Sequence, residues 1–350
     1  MDIRIPPPLK KGRTIAVTAP SFGCVHEPYR SRFAFAKAQL EAAGYTIHAG
    51  STVFKSDGKG IATDPKAAAA ELEALYCSDE NAAVISAGGG ELMCETAGYI
   101  DFEKIRRAPP KWFLGYSDNT NFIFPLVTMC RTAAVYGPCF TGFGKKWERT
   151  ERDTLGILEG TVTETRGFEQ FQLPQNDSRE TEGLEHLTYS LTEPKTLRFF
   201  PEGQQTARFS GTILGGCLDV LANLCGTQLD AVKEFNRTAE QIVWVLESCD
   251  ANPAELRRQI WHLKNAGWLE KASGFLIGRP LASFRQEMMG IDQYNAVTDL
   301  LADFKVPVIM DADIGHIDPV MPVVMGADAD VFASGNTISI AYTPGFRRNL

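Results

Sequence analysis

Residues 111–124, KWFLGYSDNTNFIF, predict a strand, a short turn and a helix in succession. The apolar run 111–115 predicts a buried strand, and the apolar spacing from about residue 119 to 130 predicts a helix. A short turn, Gly115-Tyr116-Ser117-Asp118, joins them. Strands alternating with helices are typical of a parallel sheet that is covered on both faces.

The same alternation continues on both sides of this segment. Strands are predicted at 14–18, 82–86, 208–214, 241–246, 274–278 and 308–310, and a hairpin around Gly335-Asn336. Helices are predicted at 28–43, from 65 to about 77 with Asp64 as cap, after Gly216 to 224, and at 254–266 and 294–304. Residues 161–207 show no clear period. We therefore predict an α/β protein with domains at 1–160 and 208–350, joined by a connecting segment that could serve as a lid.

Composition excludes several functional classes. The net charge is −8 and the basic clusters are short, so no nucleic-acid partner is expected. No apolar stretch approaches the ~20 residues of a membrane span, and the N-terminus does not resemble a secretory signal. Eight cysteines without C-x-x-C pairs and five histidines without H-E-x-x-H predict a reduced, cytoplasmic enzyme without a metal site or other cofactor.

Ser117 is the first candidate for chemistry, because ligands of open α/β sheets bind beyond the carboxyl ends of the strands. Its setting is that of a nucleophile elbow, G-x-S-x-G, except that Asn119 occupies the last position. Such a turn projects the hydroxyl into a cleft and directs the amide of Asp118 toward a developing oxyanion. An ordinary helix cap is the alternative.

The triglycine at 88–90 also follows a predicted strand. A dinucleotide-binding G-x-G-x-x-G would need glycine at position 93, which is Met93. Gly89 or Gly90 could instead supply a second oxyanion donor, because glycine lets a substrate carbonyl approach the backbone closely. A tight turn required only for steric reasons is the alternative.

Glu247 and His316 complete the set of candidates. Glu247 ends the strand 241–246, where an acid can orient a histidine or cap a turn. His316 lies in a glycine-containing loop after the strand 308–310, and a solvated or structural role is its alternative. With Ser117 they give the order Ser, Glu, His. In such a triad an imidazole accepts the serine proton and a carboxylate holds the imidazole tautomer.

The chain resembles the LD-carboxypeptidase family of serine peptidases, which includes the microcin C immunity proteins. The combination of GYSD at 115–118, GTILGGCL at 211–218 and GHIDP at 315–319 carries the resemblance most specifically. Further matching blocks are TIAVTAPS at 14–21, GIATDPKAAAAELEALY at 60–76, VISAGGGELMCETAGYIDFEKI at 84–105, VYGPCF at 135–140, VWVLES at 243–248, LKNAGWLEKASGFLIGRP at 263–280 and VPVIMDADIGHIDPVMPVVMGADADV at 306–331.

The resemblance implies roles for the candidate residues. Ser117 would be the nucleophile, His316 the general base and then acid, and Glu247 the residue that orients His316. The amide of Asp118 and that of Gly89 or Gly90 would form the oxyanion hole. It also implies a flavodoxin/Rossmann-like N-terminal domain with the nucleophile elbow, a smaller C-terminal α/β domain, and a cytoplasmic homodimer without a metal.

Two branches of the family differ in substrate. One releases the terminal D-alanine of murein tetrapeptides, and the other cleaves an aminoacyl-nucleotide amide. Chain length and the long middle segment look more like the second branch. However, Cys217 and Ala251 stand where that branch has Asn and Lys, and the tryptophan that stacks on the nucleobase has no counterpart in 160–207. We regard Gly88, Cys217 and Ala251 as tentative substrate contacts.

Three hypotheses follow for the function. The first is a serine hydrolase of amide bonds acting on a small peptide or an aminoacyl-nucleotide. The second is a small-ligand binding protein that keeps the fold without turnover. The third, a nucleotide-dependent oxidoreductase, is disfavoured by the broken glycine pattern.

Overall fold

A computed structural model describes residues 3–176 and 178–343, which divide into two compact units. The N-terminal unit comprises residues 3–162 and 178–188, and the C-terminal unit comprises the described residues of 163–177 and of 189–348. The C-terminal unit is similar in length to the N-terminal one rather than smaller. The reason is that most of the connecting segment 161–207 belongs to it.

The N-terminal unit alternates strands and helices. The strands are β1 (Thr14–Thr18), β2 (Thr46–Ala49), β3 (Asn81–Ser86), β4 (Trp112–Gly115) and β5 (Ala134–Tyr136). The helices are α1 (Tyr29–Ala42), α2 (Pro65–Cys77), α3 (Met93–Ala97), α4 (Phe102–Arg107), α5 (Thr120–Thr128) and α6 (Arg149–Glu159).

These five strands run parallel in the order β5-β4-β3-β1-β2. This is the flavodoxin-like order 2-1-3-4-5 read from the other edge, so the predicted fold class is confirmed. Strands β1, β3 and β4 and helices α1, α2 and α5 lie close to their predicted ranges. The local signals at α2 act as expected, since the Asp64 side chain accepts bonds from the amides of Lys66 and Ala67 and Pro65 is the first helical residue.

The C-terminal unit is built on a larger sheet. Its strands are β6 (Glu164–Arg166), β7 (Gln170–Phe171), β8 (Glu193–Pro194), β9 (Arg198–Phe200), β10 (Thr206–Cys217), β11 (Ile242–Glu247), β12 (Ala272–Gly278), β13 (Glu287–Met288), β14 (Ile291–Asp292), β15 (Val308–Ala312), β16 (Val323–Met325), β17 (Asp328–Ser334) and β18 (Thr337–Tyr342). Its helices are α7 (Leu218–Leu224), α8 (Val232–Thr238), α9 (Pro253–Asn265) and α10 (Asn295–Leu301).

The order of the large sheet is β6-β18-β17-β10-β11-β12-β15-β9. Strands β10, β11, β12 and β15 are parallel, and the neighbours on both sides are antiparallel. The predicted hairpin is confirmed, because Ser334 of β17 pairs with Thr337 of β18. Cys217 and Glu247 are register partners at the carboxyl ends of β10 and β11. Functional side chains are expected at this edge of the sheet.

The connecting segment contains structure that its composition does not predict. Strand β6 pairs with β18 at one edge of the large sheet, and β9 pairs with β15 at the other. Strands this short carry little period-2 signal, so a pattern reading misses them. Residues 178–188 belong to the N-terminal unit. The lid function of the segment stays a prediction.

Within the described residues, the helices are all too short or too polar to cross a lipid bilayer.

Candidate active site

Ser117 follows β4 in a conformation that non-glycine residues rarely adopt. Its φ angle is 61°, in the left-handed region, where an L side chain is strained. Its backbone amide donates to the hydroxyl of Tyr136, 3.0 Å away, at the end of the neighbouring strand β5. A strained serine between a strand and a helix is the geometry of a nucleophile elbow. A simple helix cap would not need the strain.

The side chain of Asp118 fixes the surroundings of this turn. One carboxylate oxygen accepts bonds from the Ser21 hydroxyl at 2.5 Å and from the Met93 amide at 2.9 Å, and the other from Asn121 Nδ2 at 2.9 Å. Burial raises the pKa of Asp118, and these three donors oppose that rise. The carboxylate therefore ties together the segments on either side of the elbow. The backbone amide of Asp118 lies in the short 3-10 helix Ser117–Asn119 that precedes α5. The first amides of a helix have no partner in the helix itself.

Asn119 explains the departure from the usual elbow pattern. Its Nδ2 atom donates to the carbonyls of Tyr116 and Gly88, each 3.0 Å away. It thus connects the turn to the triglycine, which a glycine at 119 could not do. A Cβ on Gly115 would lie 2.8 Å from Asn119 Cγ, so the first glycine of the pattern is required for space.

The triglycine lies beside Ser117, and its three members differ. A Cβ on Gly89 would lie 3.6 Å from Ser117 Oγ, whereas nothing lies within 4 Å of one on Gly88. Gly90 has φ 149°, and a Cβ there would overlap Ser21 Oγ. The absence of a side chain on Gly89 therefore leaves the space next to the serine hydroxyl open. At position 90, the positive φ angle and the nearby Ser21 require a glycine.

Glu247 and His316 contact each other in the C-terminal unit. The Oε2 atom of Glu247 is 2.7 Å from Nδ1 of His316. The Glu247 side chain is fully buried, and 11% of the His316 side chain is exposed. Two glycines allow this fit: a Cβ on Gly315, which has φ 109°, would lie 2.5 Å from Glu247 Oε2, and one on Gly278 would lie 2.9 Å from Glu247 Cβ.

The pKa of His316 is raised well above its usual value. Burial alone lowers it, but the negative charge of Glu247 and hydrogen bonds to Glu247 and Cys249 outweigh burial. The pair thus stabilises the protonated imidazole. That is the form a general base takes after it accepts a proton.

Two residues of this environment have no role in the sequence-based prediction. Cys249 interacts with the His316 side chain, and burial raises the pKa of its thiol while His316 lowers it. Asp219 accepts bonds from the Cys249 amide at 2.8 Å, the Ser248 hydroxyl at 3.2 Å and Gln259 Nε2 at 3.1 Å. It therefore fixes the loop that follows Glu247. No sequence pattern marked either residue: Cys249 lies two positions after Glu247, and Asp219 lies in the first turn of α7.

The tentative substrate contacts lie in different surroundings. Gly88 is next to open space, whereas Cys217 and Ala251 are buried. The Cys217 thiol donates to Asp219 Oδ2 at 3.4 Å, and burial and neighbouring carboxylates raise its pKa. The Ala251 carbonyl accepts a bond from the Ser283 hydroxyl at 2.5 Å. Their contacts with substrate stay predictions.

The structure thus brings the candidates together in two groups. Ser117, Asp118 and the triglycine lie in the N-terminal unit, and Glu247 and His316 lie in the C-terminal unit. Over the described ranges, no cluster of histidine, cysteine or carboxylate side chains could hold a metal ion.

A strained serine at an elbow and a histidine held by a buried glutamate are characteristic of serine-peptidase-like hydrolases. Comparison with known proteins agrees with this class. The LD-carboxypeptidase N-terminal domain matches residues 15–137, and the LD-carboxypeptidase C-terminal domain matches residues 210–331. The chain belongs to the LD-carboxypeptidase family.

Two relatives of the chain carry names that refer to different activities. A protein of Bacillus subtilis named "Probable murein peptide carboxypeptidase" is 25% identical over 96% of this chain and 93% of its own. The microcin C7 self-immunity protein MccF of Escherichia coli is 21% identical over 89% of this chain and 88% of its own. A solved structure of MccF in complex with aspartyl sulfamoyl adenosine superposes with a TM-score of 0.79 at 20% identity, covering 97% of this chain and 98% of that one. At this identity the structural match establishes the fold.

Proposed function

We propose that this protein hydrolyses an amide bond through Ser117, His316 and Glu247. The observation that carries the proposal is the 2.7 Å contact between a fully buried Glu247 and His316. A buried carboxylate on Nδ1 holds the imidazole in the tautomer whose Nε2 accepts a proton. The strained Ser117 supplies the hydroxyl from which that proton would come.

The reaction takes place in two steps. Ser117 Oγ attacks the carbonyl carbon while Nε2 of His316 accepts the hydroxyl proton. His316 then gives this proton to the leaving amine as the carbon–nitrogen bond breaks, which leaves an ester on Ser117. In the second step, His316 takes a proton from water, the hydroxide attacks the ester, and the proton returns to Ser117 as the acid leaves.

The developing oxyanion would be bound by backbone amides. The amide of Asp118 and that of Gly89 or Gly90 are the proposed donors. Support comes from Asp118, whose side chain is fixed by three donors, and from the open space above Gly89. Fixed donors of this kind require no rearrangement when charge develops.

For the substrate we propose an aminoacyl-nucleotide amide, with a murein tetrapeptide ending in D-alanine as the alternative. MccF, which shares the fold, is known in complex with aspartyl sulfamoyl adenosine. The relative named as a murein peptide carboxypeptidase matches more of the chain and supports the alternative. Assembly as a homodimer and a cytoplasmic location belong to the same proposal.

The test is mass-spectrometric turnover of both substrates side by side. One is a murein tetrapeptide ending in D-alanine, and the other is aminoacyl sulfamoyl adenosine with several amino acids in turn. We expect cleavage of the second by the wild type and none by Ser117→Ala. Cleavage of the tetrapeptide alone would show that the substrate is the murein peptide instead of the aminoacyl-nucleotide. Binding of either substrate without cleavage would favour the non-catalytic binding protein.

A further inference from the structure

A cavity of about 450 Å³ lies in the C-terminal unit. Its walls come from the segments around residues 194–198 and 284–294 and from the carboxyl ends of β12 and β15. None of its lining residues is Ser117, Glu247 or His316. The cavity therefore contains none of the three residues that carry out the proposed hydrolysis.

Asp311 lines the cavity and is held in a strained conformation. Its φ angle is 62°, and only 7% of the residue is exposed. One carboxylate oxygen accepts a bond from Gln293 Nε2 and the other from the Tyr294 hydroxyl, each at 2.8 Å. A carboxylate offers about four acceptor positions, so each oxygen can accept a further donor. Strained residues that the surrounding structure holds in place cluster at ligand sites.

Gln293, one of the two donors to Asp311, is held in place by a backbone amide. The amide oxygen of Gln293 accepts a bond from the Arg285 backbone amide at 2.7 Å, which sets the orientation of its Nε2 toward Asp311. Burial raises the pKa of Asp311, whereas Tyr294 and two nearby guanidinium groups lower it. The Asp311 carboxylate is therefore a preorganised acceptor, and a bound cation would stabilise its charged form.

Arg198 is an exposed lining residue that lies over the ring of Tyr294. Its guanidinium carbon is 3.9 Å from the centre of the Tyr294 ring. The other two arginines of the cavity already have carboxylate partners, Arg279 in Asp313 and Arg285 in Glu193. In the part of the chain that the structure describes, Arg198 forms no such ion pair, so its guanidinium remains available for an anion.

The charges of the lining select the class of ligand. Three arginines face three acids, Glu287, Asp292 and Asp311, so the cavity does not favour a polyanion. Tyr294 contacts Asp311 through its hydroxyl and Arg198 through its ring. The Asp311 carboxylate, an acceptor, and the Arg198 guanidinium, a cation, are thus separated by a single side chain. The short separation suits a molecule whose ammonium and carboxylate are attached to one carbon. Phe171 and Phe284, with ring centres 5.7 Å apart, add an apolar wall.

We propose that this cavity binds a free α-amino acid as a zwitterion. The ammonium group donates to Asp311, and the carboxylate pairs with Arg198. Charge-assisted hydrogen bonds of both kinds are stronger than neutral ones, so both ends of the ligand contribute to recognition. The proposal does not depend on the hydrolytic function, because the two sets of residues do not overlap.

The test is isothermal titration calorimetry of the full chain with glycine, the smallest α-amino acid. Methylammonium and acetate each carry one of the two charges, and inorganic phosphate serves as the anion control. We expect glycine to bind at least about tenfold more tightly than any of the three. Equal binding of acetate or phosphate, or no detectable binding of glycine, would overturn the proposal.

Two variants locate the binding. Asp311→Asn keeps a residue type that tolerates the left-handed conformation, and Arg198→Gln changes an exposed side chain, so neither should prevent folding. Each should weaken glycine binding at least about tenfold, because it removes one charged partner. Asp330→Asn and Arg208→Gln make the same changes on exposed positions of the same sheet and should leave binding unchanged. Binding that survives both cavity variants would place the ligand elsewhere and contradict the proposal.

Discussion

Glu247 Oε2 lies 2.7 Å from His316 Nδ1, although 69 positions separate the two residues in the chain. Strand β11 ends at Glu247, and the loop after β15 returns across the end of β12 to place His316 beside it. Gly278 and Gly315 make room for this crossing, since a Cβ on either would contact Glu247. The contact thus depends on the packing of three strand ends.

Glu247→Gln should change the pH profile as well as the rate. The charge of Glu247 raises the pKa of His316, so the neutral imidazole needed as a base forms at higher pH than in an ordinary histidine. In the wild type, kcat/KM should therefore fall as the pH drops through this raised pKa. In Glu247→Gln this fall in kcat/KM should occur at lower pH, and the maximum of kcat/KM should be reduced by about 10³–10⁴-fold. His316→Ala should cost more. If kcat/KM of Glu247→Gln falls at the same pH as that of the wild type, Glu247 is not the residue that raises the pKa of His316.

Gly89→Ala should separate activity from stability. The added methyl group would lie 3.5 Å from Ser117 Cβ and 3.6 Å from Ser117 Oγ, and no other atom beyond its chain neighbours lies within 4 Å. It would occupy the space where we place the substrate carbonyl. We expect a loss of about 10²-fold or more in kcat/KM, with little change in melting temperature. Gly90→Ala should lower both, because its φ is 149° and its Cβ would clash with Ser21. Full activity in Gly89→Ala would argue against this placement.

Asp313→Asn should strongly destabilise the protein. The carboxylate is buried and pairs with two buried cations, Lys195 at 2.9 Å and Arg279 at 2.8 Å. Removing its charge leaves both cations uncompensated, which costs about 3–5 kcal/mol in the free energy of unfolding. Urea unfolding with Glu234→Gln as control measures this, since the Glu234–Arg237 pair is exposed and should contribute under about 1 kcal/mol. Equal losses in the two variants would refute the expectation.

The sequence predicts most of the fold because its strong signals are local. The buried strands β3 and β11 contain the apolar runs AAVI and IVWVL, and α2 carries both a cap and a first-turn proline. Strands β2, β5 and β9 are missed because they contain three or four residues. The hydrogen bonds and buried neighbours that hold them come from residues far away in the chain.

Sequence reasoning finds the candidate site only in part. Ser117, Glu247 and His316 are marked by their positions after strands. The positive φ of Ser117 and the bonds of Asp219 depend on tertiary contacts that no pattern encodes. The buried state of Cys217 and Ala251 also follows from packing rather than from spacing.

The assignment of Ser117 as the nucleophile is tested by measuring kcat/KM of Ser117→Ala on a cleaved amide substrate. Ser56→Ala, a change of the same kind at an exposed loop position, is the control and should match the wild type. Without the hydroxyl no acyl-enzyme can form, so we expect a loss on the order of 10³-fold or more in Ser117→Ala. A Ser117→Ala variant that stays within about tenfold of the wild type would contradict the account.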